Sequence, residues 1–319
     1  SLYYSQVLKA TGKCSDVDDS WRTSFTLHAG LMPWRDIYFK TPYQGNGLTQ
    51  FDNTALINNG AIFVDNIVPR FAAEINQGLG KYANFKLKGD VSSIDISDAI
   101  DGIGFTFEGD LGYNLGFINN YLDKPIDALN LAGNIFGAYY FVHSSGTLQR
   151  LTPTTFDPTD TKAHGFYVGM NQELYKGIGA FGSFALNDTS SLSALLTALK
   201  TGTGTNIMFN NAGQANFYGI RQSWVFGGEI PLRALPNAIT MGKRQRDALG
   251  IAYTQLFPIS RFGTDPRAIQ AEKILESYYK LQVSDGFAII PDVQLIFDRA
   301  GNSRNGVNVA VGLRTTFSF

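Results

Sequence analysis

Three stretches of the chain have the residue types and spacing that chemistry uses. "GIGAFG" at 177–182 matches the G-x-G-x-x-G fingerprint. A dinucleotide site needs a strand before those glycines, a helix whose N-terminus receives the pyrophosphate, and an acid about 20 residues further on. The next residues, "SFALND", alternate as a strand does, so the phosphates would meet no helix, and the glycines read as small residues in a sheet wall. "TGTGTN" at 201–206 lacks the Gly-Lys-Ser/Thr of a phosphate loop and reads as an outer loop. His28, His143 and His164 lie far apart, with no ligand-like neighbour at helical spacing. A triad can converge from anywhere in a chain, but no local pattern gathers one here. The one cysteine, Cys14, makes neither an internal disulfide nor a four-ligand zinc site. No cofactor, no metal and no enzymatic activity are expected.

Ten charged or polar residues belong to a different pattern. Lys86, Lys88, Glu108, Asp110, Arg221, Glu276, Lys280, Asp292, Gln294 and Arg314 sit on one side of two-residue alternations whose other side is apolar. In "IGFTFEGDLGYNL", Ile103, Phe105, Phe107 and Leu111 oppose Thr106, Glu108 and Asp110. In the closing "VNVAVGLRTTFSF", Val307, Val309, Val311, Leu313, Thr315, Phe317 and Phe319 oppose Asn308, Ala310, Gly312, Arg314, Thr316 and Ser318. Successive strand side chains point to opposite faces, so each run has one greasy wall and one small or polar wall. "ILESYYKLQV", "FAIIPDVQLIF", "RDALGIAYTQLF", "GFYVGMNQEL", "ANFKLKGD" and "RFAAEIN" alternate likewise, whereas "NIFGAYYFV" and "NFYGIRQSWVF" do so less cleanly. Helical patterning is confined to "DPRAIQAEKI", where Asp265 and Pro266 suit the start of a short helix.

Such a strand fits the skin of a soluble sandwich or a wall between lipid and water. Composition favours the wall. Charged residues make up 17% of the 319, below the globular norm of about 25%, while glycines number 34 and Tyr and Phe are abundant. The formal net charge of -1 supplies no field to gather nucleic acid. The runs also last about 9 to 13 residues, longer than the mode of about 5 to 6 in soluble sheets and close to what a tilted strand needs to cross a bilayer. No apolar stretch reaches the ~20 residues of a spanning helix. No basic, apolar leader opens the chain, so an export signal is expected to lie outside it.

Together these features predict an all-β protein, a transmembrane antiparallel up-and-down β-barrel forming a single domain over 1–319. Eleven strands fall between about 68 and 319. "RTSFTLHAGLM" and "GAIFVD" are further candidates in the first 66 residues, where "MPWRDIYFKTPYQGNG" reads as a loop folding into the lumen. Even strand numbers are usual, so 16 strands are expected, with 14 as the alternative. Read backward from the chain's end, connectors should alternate between long outer loops and tight inner turns. "SDG" (284–286), "YKG" (175–177) and "LGK" (79–81) fit as inner turns, whereas 117–130 and 231–245 are long for that side. Aromatics at strand ends, Phe287, Phe297, Tyr253, Phe257, Phe317 and Phe319, suit interfacial girdles.

From Glu272 onward, "EKILESYYKLQVSDGFAIIPDVQLIFDRAG…VNVAVGLRTTFSF" resembles the C-terminal end of the carbohydrate-selective porin family, the OprB type, which has cyanobacterial members. The matching positions are Glu272, Glu276, Tyr279, Pro291, Asp292, Gln294, Gly312, Arg314 and Phe319. The family's usual Asn-Pro after the penultimate strand is replaced here by "DRAGNSRN". The resemblance implies a 16-stranded channel of a bacterial outer membrane, cyanobacterial or plastid-type included. It implies a homotrimer that passes sugars or inorganic ions by diffusion, and a terminal Phe319 read by the outer-membrane assembly machinery. The expected partners are outer-membrane lipid, small hydrophilic solutes and that machinery, and nucleic acid is not among them. An outer-membrane barrel with an enzymatic or adhesin role is the alternative to an open pore.

Overall fold

A computed structural model describes residues 2–11, 23–32, 37–38, 42–43, 51, 68–93, 102–124, 126, 129–144, 161–187, 220–236, 246–258, 270–299 and 306–317. Its thirteen strands are β1 (Leu2–Thr11), β2 (Thr23–Met32), β3 (Val68–Gly78), β4 (Ala83–Ser93), β5 (Gly102–Asn114), β6 (Ala132–Ser144), β7 (Thr161–Tyr175), β8 (Ile178–Asn187), β9 (Ile220–Pro231), β10 (Ala248–Pro258), β11 (Glu272–Ser284), β12 (Phe287–Phe297) and β13 (Val307–Phe317). They form one sheet in chain order from β1 to β13, every neighbouring pair antiparallel. Strands of 10 to 15 residues are long for a soluble sheet. Among the described residues no helix is long and apolar enough to cross a membrane, a test that does not bear on strands.

The eleven strands expected after residue 68 are β3 to β13, and "RTSFTLHAGLM" forms β2. β1 was not anticipated. Its sequence places Tyr3 and Tyr4 side by side on opposite faces, and its pairing with β2 shifts register between Val7 and Lys9, so no single alternation runs through it. "GAIFVD" lies outside the described residues, as does the first half of "DPRAIQAEKI", whose last three residues, Glu272 to Ile274, open β11. The described strands number thirteen, and the expected 16 is not reached among them.

The two faces differ in the sense opposite to a soluble protein. On β13, Val309, Val311 and Leu313 are 62%, 76% and 71% exposed, while on β5 and β12 Glu108 and Asp292 are 1% and 2% exposed. Phe71, Phe105, Phe107, Ile135, Tyr139, Val168, Phe226 and Ile251 continue the exposed apolar face across the sheet. Water would not tolerate an apolar face of this extent on a monomer. A face buried across so many strands requires the sheet to wrap around it, and that inner face holds both the polar side chains and a cluster of rings, Phe136, Tyr167, Phe181 and Tyr278.

Those rings fit because glycines face them. Tyr140 pairs with Gly165 and Phe136 with Gly169, Phe181 with Gly227 and Tyr278 with Gly250. At each of the four glycines a Cβ would run into the facing ring. Covering a strand glycine with an aromatic ring from the neighbouring strand restores the packing that glycine forgoes.

Tight connections gather at one end. β7 and β8 are joined by Lys176 and Gly177, with φ of 46° and 88°, the doubly positive pair that a two-residue type I′ turn requires. β11 and β12 join across Asp285 and Gly286; β3 and β4 join where the Leu79 N–H donates to the Ala83 carbonyl at 2.9 Å. The long connector after β5 is ordered by a 3-10 helix at Leu115–Tyr121, started by Asn114 accepting from the Gly116 N–H at 2.7 Å. It is closed by Asn119, which bonds the N–H and carbonyl of Ile126 at 2.8 and 3.2 Å.

Candidate functional site

The inner face is the candidate site. β4 points Lys86, Lys88 and Asp90 into it, because Phe85, Leu87 and Val91 occupy the alternate positions, and register sets Lys86 opposite Asp110 and Lys88 opposite Glu108 on β5. The Lys88 ammonium bonds the Glu108 carboxylate at 2.6 Å, with both side chains buried. Tyr167 of β7 donates to the same carboxylate. Beside this pair, Asn134 of β6 donates to Asp110 at 3.0 Å and accepts from Asn171 of β7. Buried ions of this kind persist only when paired and hydrogen-bonded.

A second buried pair joins Arg70 of β3 to Asp90 of β4. Tyr38, from the connector between β2 and β3, donates to the same carboxylate at 2.9 Å. Burial, first, and the charge of Asp90 push the Tyr38 phenol well above its ordinary range, so it remains a donor. Phe51 of the same connector is fully buried and meets Phe181 and Tyr278 edge-on, with centroids at 5.7 and 5.0 Å. Of the stretch expected to fold into the lumen, Tyr38 bonds the inner-face Asp90 and the Tyr43 ring lies at Gly179 of β8.

Across β11, β12 and β13, register sets Glu276 opposite Gln294, and Asp292 opposite Gly312, where a Cβ would overlap its carboxylate. Arg314 Nε lies 3.7 Å from Asp292 Oδ2, and Gln294 donates to the other Asp292 oxygen at 3.4 Å. Tyr278 donates to Glu229 of β9. Lys280 is half-exposed on the same side of β11 as Glu276 and Tyr278. Arg221 stands apart: the β9–β10 register shifts between Phe257 and Pro258, skipping it, and its side chain is exposed. Of the ten candidates, nine therefore share one face, in a β4–β5 group and a β11–β13 group. Phe319 lies outside the described residues.

Reading single strands missed Arg70, Asp90, Tyr38, Tyr167 and Phe51. The alternation of "RFAAEIN" does place Arg70 on the polar side; its partner is set only by register.

"GIGAFG" has no helix after it: Gly177 belongs to the turn, and Ile178–Asn187 is β8. Among the described residues no group of His, Cys, Asp and Glu could hold a metal.

The family model for carbohydrate-selective porins of the OprB family matches residues 25–319. The chain belongs to the OprB family. Among solved structures, OprB of Pseudomonas putida, determined at high pH, superposes with a TM-score of 0.58 at 13% identity, over 93% of this chain and 72% of that one. At that identity the likeness bears on the fold alone. Outer membrane phospholipase A from Escherichia coli gives a TM-score of 0.29 at 7% identity, over 79% of this chain and 80% of that one, too low to carry any argument about catalysis. No curated protein matches the chain. As an OprB-family member, the protein is a bacterial outer-membrane porin for small solutes, and its sheet is the family's β-barrel. The exposed apolar face is then the lipid face.

Proposed function

We propose that small hydrophilic solutes, sugars and inorganic ions, diffuse passively along the luminal face, and that the charged side chains gathered there line the route. The observation that supports this is the partial exposure of Lys86, Lys280 and Arg314 on a face where Arg70–Asp90 and Lys88–Glu108 are buried in pairs. Rings of charge near a narrow aqueous path tune which ions pass, and the half-exposed cations are the ones still in reach of a passing solute. The porin performs no bond chemistry. In a closed barrel every backbone donor and acceptor is satisfied within lipid, and the single domain over 1–319 supplies wall and lining alike.

Thiol accessibility tests the lining. In a Cys14→Ser background, Lys86→Cys, Lys280→Cys and Arg314→Cys should react with a charged, membrane-impermeant thiol reagent and step the single-channel current, whereas Val311→Cys should not. Current indifferent to labelling at all three luminal positions would reject them as lining.

The proposal extends to assembly. The protein forms a homotrimer, and Phe319 is the end recognised by the insertion machinery of a bacterial outer membrane, cyanobacterial or plastid-type included. The family resemblance supports both points. Deleting Phe319 should impair insertion in cells, and normal insertion of the deletion variant would count against it. The trimer is checked by the molar mass of the detergent-solubilised porin.

A further inference from the structure

The end of the sheet where the tight connections gather carries more exposed cations than acids. Among the described residues of those connectors, Lys81, Lys124, Lys176, Arg233 and Arg246 are exposed, against Asp123 and Asp285. Arg246 pairs with Asp285. Lys176 and Arg233 form no ion pair with a carboxylate of the described residues, and the fold sets them together. Lys176 opens the β7–β8 turn, and its ammonium lies 5.0 Å from the centroid of the Tyr175 ring. Arg233 belongs to the one-turn 3-10 helix Leu232–Ala234 that follows β9. Its guanidinium lies against the same turn, since a Cβ at Gly177 would come within 3.0 Å of Nη2. The acids nearby are engaged elsewhere: Glu173 accepts from the Gly177 N–H at 2.7 Å, and Glu229 accepts from Tyr278 on the inner face. Leu174, which alternates with the outward Val168 and Met170, is exposed, as is Tyr175 beside it. The β3–β4 turn repeats part of this arrangement, with Lys81 at 5.2 Å from the Tyr82 ring centroid and an exposed Leu79.

We propose that Lys176 and Arg233 form a binding site for the phosphate of an anionic phospholipid, whose acyl chains lie along the outer face past Leu174. Short turns of outer-membrane barrels face the periplasm, so the lipid belongs to the inner leaflet. A guanidinium offers a phosphate a planar fork of donors. A lysine stem and an aromatic ring at the edge of an apolar face keep the ammonium at headgroup level. The charge complementarity favours an anionic lipid over a neutral one, by about fivefold for each cation at a membrane surface. The site lies on the rim and the lipid face, so it is independent of which solutes pass through the pore.

The test is lipid retention, read by native mass spectrometry of the detergent-solubilised porin mixed with equal amounts of phosphatidylglycerol and phosphatidylcholine. It is run on the wild type, Lys176→Gln, Arg233→Gln and Arg246→Gln, each verified as folded by heat-modifiable mobility on gels. The wild type should retain phosphatidylglycerol in preference. That preference should fall about fivefold in Lys176→Gln and in Arg233→Gln, and hold in Arg246→Gln, whose guanidinium already has Asp285. A wild type that retains both lipids equally overturns the inference without recourse to any variant. An equal fall in all three variants would show diffuse charge in place of a site, and overturns it too. Displacement of the retained lipid by millimolar inorganic phosphate would assign the cations to a free anion and overturn the lipid assignment; retention through that challenge supports it.

Discussion

Glu108 shows what a charge costs in this wall. Its carboxylate accepts from Lys88 and Tyr167 in a buried setting, and removing one partner of such a pair leaves the other charge uncompensated. Glu108→Ala should destabilise the folded barrel by about 3–5 kcal/mol, while replacing Lys88 and Glu108 together by Met and Leu should cost far less. Urea unfolding from lipid vesicles measures both. Tyr38 carries a pH prediction. Its pKa rises above the ordinary 10.0 when the phenol is seated, through burial first and then Asp90. A group raised on seating contributes fully below its ordinary value, and that contribution is lost as pH climbs past it. The Tyr38 hydrogen bond should therefore persist through neutral pH and be lost only in alkali beyond 10.0, where the stability of the wild type should fall more steeply than that of Tyr38→Phe. Which side chains face inward was legible for Glu108 and Asp292, because each sits in a clean period of two. Their partners were not: Arg70 meets Asp90, and Tyr167 meets Glu108, through register and curvature that no single strand encodes.

At the level of elements, β13 is the cleanest case. Its alternation was readable in the sequence, and its apolar positions are all exposed, joined from the other face by Ala310 alone. Val311→Arg should destabilise the barrel by about 2–4 kcal/mol if that position lies near the bilayer midplane, whereas Lys280→Gln, at a half-exposed position of the opposite face, should leave stability almost unchanged. The two-residue turn after β7 offers a second test. Gly177 has φ of 88°, a left-handed conformation that costs an ordinary residue roughly 1–2 kcal/mol, so Gly177→Ala should lose about that much in the same unfolding assay. β1 and β6 were harder to read for different reasons. β1 carries adjacent tyrosines and a register shift, whereas β6 carries rings on both faces, Tyr139 outward and Phe136 and Tyr140 inward over glycines of β7. The long connector after β5 looked wrong for its side of the membrane because its 3-10 helix and its asparagine bonds leave no mark in a period-two scan.

For the whole molecule, the ordering of faces carries the account: apolar rows exposed, charges and rings enclosed. Low charge and alternating runs of membrane-spanning length already pointed to a membrane wall, since those properties act on every strand alike. The number of strands was not legible in the same way, because it depends on segments such as "GAIFVD" that have no clear period. The stretch carrying Tyr38 did read as a loop folding into the lumen, but which side chains of the connector meet the wall was not legible, because the connector has no alternation. The claim on which everything depends is that the enclosed polar face bounds a continuous aqueous path through lipid. Single-channel recording of the purified protein in a planar bilayer tests it most directly. The account predicts discrete, lasting current steps that scale with salt concentration; a membrane that stays sealed after verified insertion of folded protein would contradict it.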